Sequence, residues 1–124
     1  MKAFLIVTAG SGLGGALRYF VQVMVYRFYP STFPFGTFAI NIIGCFFIGL
    51  FFALSEKGNL LSSDTRLFLV TGLCGGFTTF SSFSVENFNL LKSGYTLYFI
   101  LYAIGSVVLG LLATYAGFQI VKGL

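Results

Sequence analysis

Charge is missing from four long stretches of this chain, and the polar residues between them mark where it turns. No Asp, Glu, Lys or Arg occurs over 3–17, 28–55, 67–85 or 93–121. A helix that crosses a bilayer needs about 20 apolar residues, with a range of about 17–25. The pattern therefore predicts four spans, near 3–26, 35–54, 66–91 and 95–121, in a single domain over 1–124. All four are expected to be α-helical, because backbone in hydrocarbon must satisfy its own hydrogen bonds. Pro30 and Pro34 punctuate the first turn. Glu56 to Asp64 is the most polar stretch and forms an exposed connection, with Asp64 opening the next helix.

The third span is unlike the others. Gly72 to Ser84 reads GLCGGFTTFSSFS, with five hydroxyl side chains and three phenylalanines beside the glycines. Paired glycines lose backbone entropy in a helix and leave the chain able to bend, so a break is expected near Gly75-Gly76 with the helix resuming at about Thr78. Within a membrane, broken backbone is tolerated only where protein buries it or where it lines a polar cavity. The resumed helix would present N–H groups and a positive dipole end inside the protein. Carbonyls released by the break would face another way and could hold a cation.

Helical spacing groups further residues. Gly10, Gly14 and Arg18 share a face of the first span; small residues at that spacing let helices approach closely. Arg18 either faces a partner or a watery cavity, or snorkels to the interface. Thr37, Asn41 and Cys45 share a face of the second span, with Gly44 beside them. Asn41 either bonds another helix or donates an N–H to an anion. Phe80 and Phe83 lie three apart, with Phe77 one turn earlier. Aromatic residues at this spacing commonly pack, but their ring edges are positive, and beside Thr78, Thr79, Ser81, Ser82 and Ser84 they could coordinate a small anion. Glu86 follows on the same helix, as an interface acid or as the end of a polar pathway. Tyr102, Ser106, Gly110 and Thr114 recur at steps of four, a stripe that lines a path or packs on the broken segment.

Composition agrees with a membrane protein. The chain is 57% hydrophobic and 8% charged, with a mean hydropathy of +0.96, against about 25% charged in a soluble domain. Met1-Lys2 and the apolar run after it imitate a signal peptide, but no A-x-A site follows, so the mature chain is expected to start near Met1. Cys45 and Cys74 fall inside predicted spans and there is no His, which argues against a disulfide framework or a zinc site. No acid pair or base-activated nucleophile suggests an enzyme. The net charge of +4 comes from single, scattered basic residues rather than a nucleic-acid patch. Lys2, Lys57, Arg66 and Lys122 fall on the face holding both termini; Arg27 and Lys92 fall on the other, and Arg18 leans toward it. Orientation follows Lys/Arg asymmetry, and this one is weak enough to allow insertion both ways.

Together these residues resemble the Fluc, or CrcB, fluoride channel family over essentially the whole chain. The match rests on Gly14-Gly15-Ala16-Leu17-Arg18-Tyr19, on Gly36-Thr37 with Asn41 and Gly44, and on GLCGGFTTFSSFSVE at 72–86. The resemblance implies an antiparallel, dual-topology homodimer in a bacterial plasma or inner membrane, with two pores that passively export fluoride and exclude chloride. It implies that Phe80 and Phe83 line the pore, that Asn41 donates near fluoride, and that the Gly75 and Thr78 carbonyls of both subunits hold a structural sodium ion at the dimer centre. Thr79, Ser81, Ser82, Glu86, Tyr102, Ser106 and Thr114 are candidates for a polar track, and Arg18 matches a basic vestibule position. Ser82 stands where Thr is common, and Gly110 offers no hydroxyl. The alternative is a proton-coupled small multidrug exporter, also a four-span dimer, which needs a membrane carboxylate; only Glu86 could serve. Pairing with an oppositely biased paralogue is the alternative to a homodimer.

Overall fold

The computed structural model describes residues 1–58 and 60–123. Asn59, within the polar connection expected after the second span, lies outside the described residues. Among the described residues, four helical segments are long and apolar enough to cross a membrane: Lys2–Phe28, Phe35–Glu56, Ser63–Lys92 and Thr96–Lys122. We call the first two α1 and α2 and the last α5. The 27 residues of α1 reach about 40 Å at 1.5 Å per residue, enough to cross a hydrocarbon core with tilt.

The third segment is composite. Its first half, α3, starts at Ser63–Arg66, continues as a π-helical stretch Leu67–Cys74, and ends in one α-turn, Gly75–Phe77. Ser62 caps its start, the hydroxyl accepting from the Thr65 N–H at 3.1 Å, and Asp64 sits in the first turn where the helix dipole favours a negative charge. The second half, α4, is Phe80–Lys92. Thr78 and Thr79 between them are extended, with φ/ψ of −79°/158° and −148°/118°.

The break therefore lies at Thr78-Thr79, two or three residues beyond the glycine pair at which it was expected, and the helix resumes at Phe80 rather than Thr78. Gly75 keeps ordinary helical angles of −62°/−38°. Among the described residues only Gly58 and Gly94 have positive φ. Gly76 is needed for space: a Cβ there would lie 2.5 Å from the Ser11 carbonyl oxygen and 2.8 Å from its Cα. The chain opens at the two threonines because β-branched residues favour extended backbone.

Two close seams hold the helices. In the first, α1 lies on α3 through facing glycines. A Cβ on Gly10 would meet Phe68 O at 2.7 Å and Gly72 Cα at 2.9 Å, and one on Gly14 would strike Leu73 O. The shared face of Gly10 and Gly14 is thus a packing face, as small residues in membrane helices allow. In the second, α2 lies along α5, where a Cβ on Gly49 would strike Thr114 O and one on Gly117 would strike Phe46 O. Lys2 pairs with Asp64 at 2.8 Å and Lys57 Nζ donates to Val121 O at 3.1 Å. These contacts put the N-terminus, the start of α3 and the end of α5 at one end of the bundle. Large apolar residues such as Phe4, Phe20, Phe88 and Leu111 remain exposed, a surface suited to lipid or to another protein rather than to water.

Candidate functional site

The break is held by one side chain from α2. Asn41 Nδ2 donates to Thr79 O at 3.0 Å, and the Thr79 N–H donates to Asn41 Oδ1 at 2.9 Å. The amide thus pairs with an extended residue as a neighbouring strand would, and the two partners fix its orientation, since a flipped amide would oppose donor to donor. Of the two roles foreseen for Asn41, the bond to another segment is the one made. One N–H is committed to the backbone, and the amide also borders a cleft. Gly44, one turn of α2 further on, makes room for the break: a Cβ there would strike Thr78 Cγ2. Thr79 Oγ1 caps α4 by accepting from the Ser82 N–H at 3.2 Å.

The cleft is lined by Asn41, Thr78, Thr79, Phe80, Phe83 and Ser106, with Cys45, Ile48 and Val107 as its apolar wall. Residues far apart in sequence converge here because the break turns α4 toward α2 and α5. The Phe80 and Phe83 rings lie 5.7 Å apart at 41°, and Phe83 lies 4.9 Å from the Tyr102 ring at 59°. Phe80 is 79% exposed, so the cleft is open along the outer side of the chain. Ser106 Oγ is buried and has no hydrogen-bond partner among the described residues, leaving a hydroxyl beside the rings.

Beyond Tyr102 lies a second polar group. The Tyr102 hydroxyl donates to Glu86 Oε1 at 2.8 Å, Thr37 Oγ1 donates to Glu86 Oε2 at 2.8 Å, and Gln22 Nε2 donates to Thr37 Oγ1 at 3.2 Å. Each carboxylate oxygen receives a hydroxyl, the kind of charge-assisted bond that holds a half-buried carboxylate in place. A pocket at the α1–α2 turn reaches this group, bordered by Gln22, Tyr26, Tyr29, Ser31, Thr32, Thr37 and Glu86. Sequence reading did not single out Gln22, and noted Thr37 for its face and for the Gly36-Thr37 pair without giving it a role. The signal was weak: Gln22 is a single amide between Val21 and Val23, 15 positions from its partner.

Other candidates stand apart from the cleft. Ser81 Oγ lies 3.3 Å from Thr79 Oγ1, and Ser82 takes part through its capped N–H. The Thr114 hydroxyl faces Cys45 O and Gly110 O, each at 3.1 Å, so the lower half of the α5 stripe joins α5 to α2. Arg18 sits half-buried on α1, away from the lining of both pockets. Gly75 lies just before the break, and Thr78, which also lines the cleft, begins it. In an unbroken helix their carbonyls would accept from the N–H groups of Thr79 and Ser82, but those donate to Asn41 Oδ1 and Thr79 Oγ1. Two carbonyls deprived of these helical partners are the hard oxygen donors that a small cation takes.

Known sequences resemble this chain over nearly its whole length. A family model described as CrcB-like protein, Camphor Resistance (CrcB), matches residues 5–118. The chain belongs to the CrcB family. A CrcB relative from Flavobacterium psychrophilum, named fluoride-specific ion channel FluC, is 48% identical over 124 residues, covering all of both chains. Another of that name from Phocaeicola vulgatus is 50% identical over 117 residues, 94% of this chain and 96% of its own. A third, from Aquifex aeolicus, is 41% identical over 118 residues, 95% of each. The similarity to these CrcB proteins therefore spans both seams and the break.

Asn41→Ala leaves the N–H and C=O of Thr79 without their partner in a bilayer interior. Its expected cost is about 2–4 kcal/mol for two orphaned backbone groups, read as a lower melting midpoint of the purified protein in detergent. A midpoint unchanged from wild type would contradict the clamp.

Proposed function

We propose that this chain is a fluoride-selective channel of the cell membrane that lets fluoride leave the cytoplasm passively. The observation that carries the reading is the clamped break opening onto a cleft of ring edges and hydroxyls, in a family whose relatives are named fluoride-specific ion channels. Fluoride is small and strongly hydrated, so a route must replace its water with many close donors. The Asn41 amide, the Ser106 hydroxyl and the positive edges of Phe80 and Phe83 supply them without a fixed positive charge that would trap the ion. Tyr102 continues the route, its ring on Phe83 and its hydroxyl on Glu86, toward the pocket at the α1–α2 turn. Chloride, being larger, gains less from closely spaced donors.

The working unit is an antiparallel homodimer. Four helices leave the cleft open on the side where Phe80 is exposed, and a second chain closes it. The weak Lys/Arg asymmetry permits insertion in both orientations. The Gly75 and Thr78 carbonyls of both chains would hold a structural sodium ion at the dimer centre, where its positive charge would favour anions along the adjoining route.

Phe80→Ile and Phe83→Ile keep the apolar volume but remove the ring edges. Either is expected to abolish fluoride efflux from sodium-containing liposomes, followed with a fluoride electrode; undiminished efflux would remove these residues from the route. The assembly is tested on the same protein. A cysteine placed at Lys2 in a chain lacking Cys45 and Cys74 should react with an impermeant thiol reagent from both sides of the cell membrane, and sodium should raise the melting midpoint over N-methylglucamine. Labelling from one side alone rules out dual topology, and an equal midpoint in the two cations rules out the sodium site.

A further inference from the structure

The carboxylate at the inner end of the turn pocket is held by a hydroxyl whose proton has an unusual direction. Thr8, Ser55 and Thr78 each turn their proton to the carbonyl four residues back, at 2.8 to 3.0 Å, as helical hydroxyls commonly do. Thr37 does not. Its proton goes across the bundle to Glu86 Oε2 at 2.8 Å. The residue four back is Phe33, whose carbonyl already accepts from the Phe35 N–H at 2.8 Å. Thr37 is 2% exposed, so water has little access to redirect it.

A hydroxyl has one proton and two lone pairs. Gln22 Nε2, a pure donor, occupies one lone pair of Thr37 Oγ1 at 3.2 Å. With that lone pair occupied, the hydroxyl is held with its proton on Glu86 Oε2, the carboxylate oxygen 2.8 Å away. The contact is specific to the crossing of α1 over the start of α2: a Cβ on Gly36 would lie 3.7 Å from Gln22 Cα and 3.8 Å from its Cγ, an approach at ordinary van der Waals distance that leaves the amide able to extend over Gly36 to Thr37. Gln22 also borders the pocket through which the group is reached. The chain of donors runs Gln22 to Thr37 to Glu86, met from the other side by Tyr102, and each link polarises the next.

We infer that Gln22 is a positioning residue for conduction: it orients the Thr37 hydroxyl toward Glu86 and so holds the carboxylate in one place where the turn pocket meets the aromatic part of the route. The inference rests on the channel reading above. Its reach is through Thr37 alone, which separates it from a packing role. A side chain that only fills space between α1 and α2 would act whether or not Thr37 carries a hydroxyl.

The test is fluoride efflux from liposomes holding full-length protein as wild type, Gln22→Met, Thr37→Val and the double variant. Methionine matches glutamine in length and lacks the N–H. Gln22→Met is expected to slow efflux about two- to tenfold, the range for losing one hydrogen bond's net contribution, and the double variant is expected to be no slower than Thr37→Val alone. Gln22→Met at the wild-type rate, or a double variant slowed by the product of the two single effects, overturns the inference. Should Gln22→Met not yield monodisperse protein, Gln22→Glu carries the test: it has the same length, offers an acceptor in place of the donor, and is expected to be slow, whereas a wild-type rate overturns the inference. Wild-type vesicles that retain their fluoride overturn the channel reading, and this inference with it.

Discussion

One side-chain amide sets the geometry on which the rest of the membrane interior depends. Thr79 is extended in the middle of a span, and its N–H and C=O would each cost several kcal/mol if left bare in hydrocarbon. Asn41 answers both at 2.9 and 3.0 Å. With that pair in place the second half of the span can change direction, Thr79 can cap it, and Phe80 and Phe83 can face α5. Without it the segment would recover its bonds only by closing into a continuous helix, and the cleft would have no floor.

The glycines serve a different purpose from the one their pairing suggests. Gly75-Gly76 looks like a hinge because flexibility is the property of glycine most visible in a sequence. In the folded chain Gly76 is helical and pressed against Ser11, and Gly10 and Gly14 lie on the same seam. These positions require the missing Cβ rather than freedom of φ. The rigid seams on both sides of the cleft give the break something fixed to open against. Gly49 and Gly117 hold α2 to α5, while Gly10, Gly14 and Gly76 hold α1 to α3.

Much of this was legible in the chain itself. The four spans stand out because lipid tolerates so little charge; Asn41, Phe80 with Phe83, and Ser106 were singled out separately by type and spacing, and the family resemblance joined them. The exact site of the break was not, because β-branched threonines and paired glycines both interrupt helices and only the contact with Ser11 separates their roles. Nor was Gln22, whose significance arises from a crossing between α1 and α2 that no periodicity encodes. Thr114 looked equivalent to Tyr102 and Ser106 by spacing, but the close approach of α2 turns its hydroxyl to Cys45 O. Helical period sorts residues onto a face; it does not tell which part of that face meets a neighbouring helix and which part borders open space.

The polar groups form a graded series from the turn pocket inward: a carboxylate held by two hydroxyls, a tyrosine, two phenylalanine rings, an amide. The ring edges and the amide of this series can replace an anion's water in steps without a fixed positive charge to trap it, which is the physical basis of the proposed passive, selective passage. The most direct measurement is the reversal potential of purified wild-type protein in a planar bilayer, with fluoride on both sides at unequal concentrations and a chloride gradient of the opposite sense. The account predicts a current that reverses near the fluoride equilibrium potential and is indifferent to the chloride and proton gradients. A current that follows chloride or protons, or none at all, would contradict it.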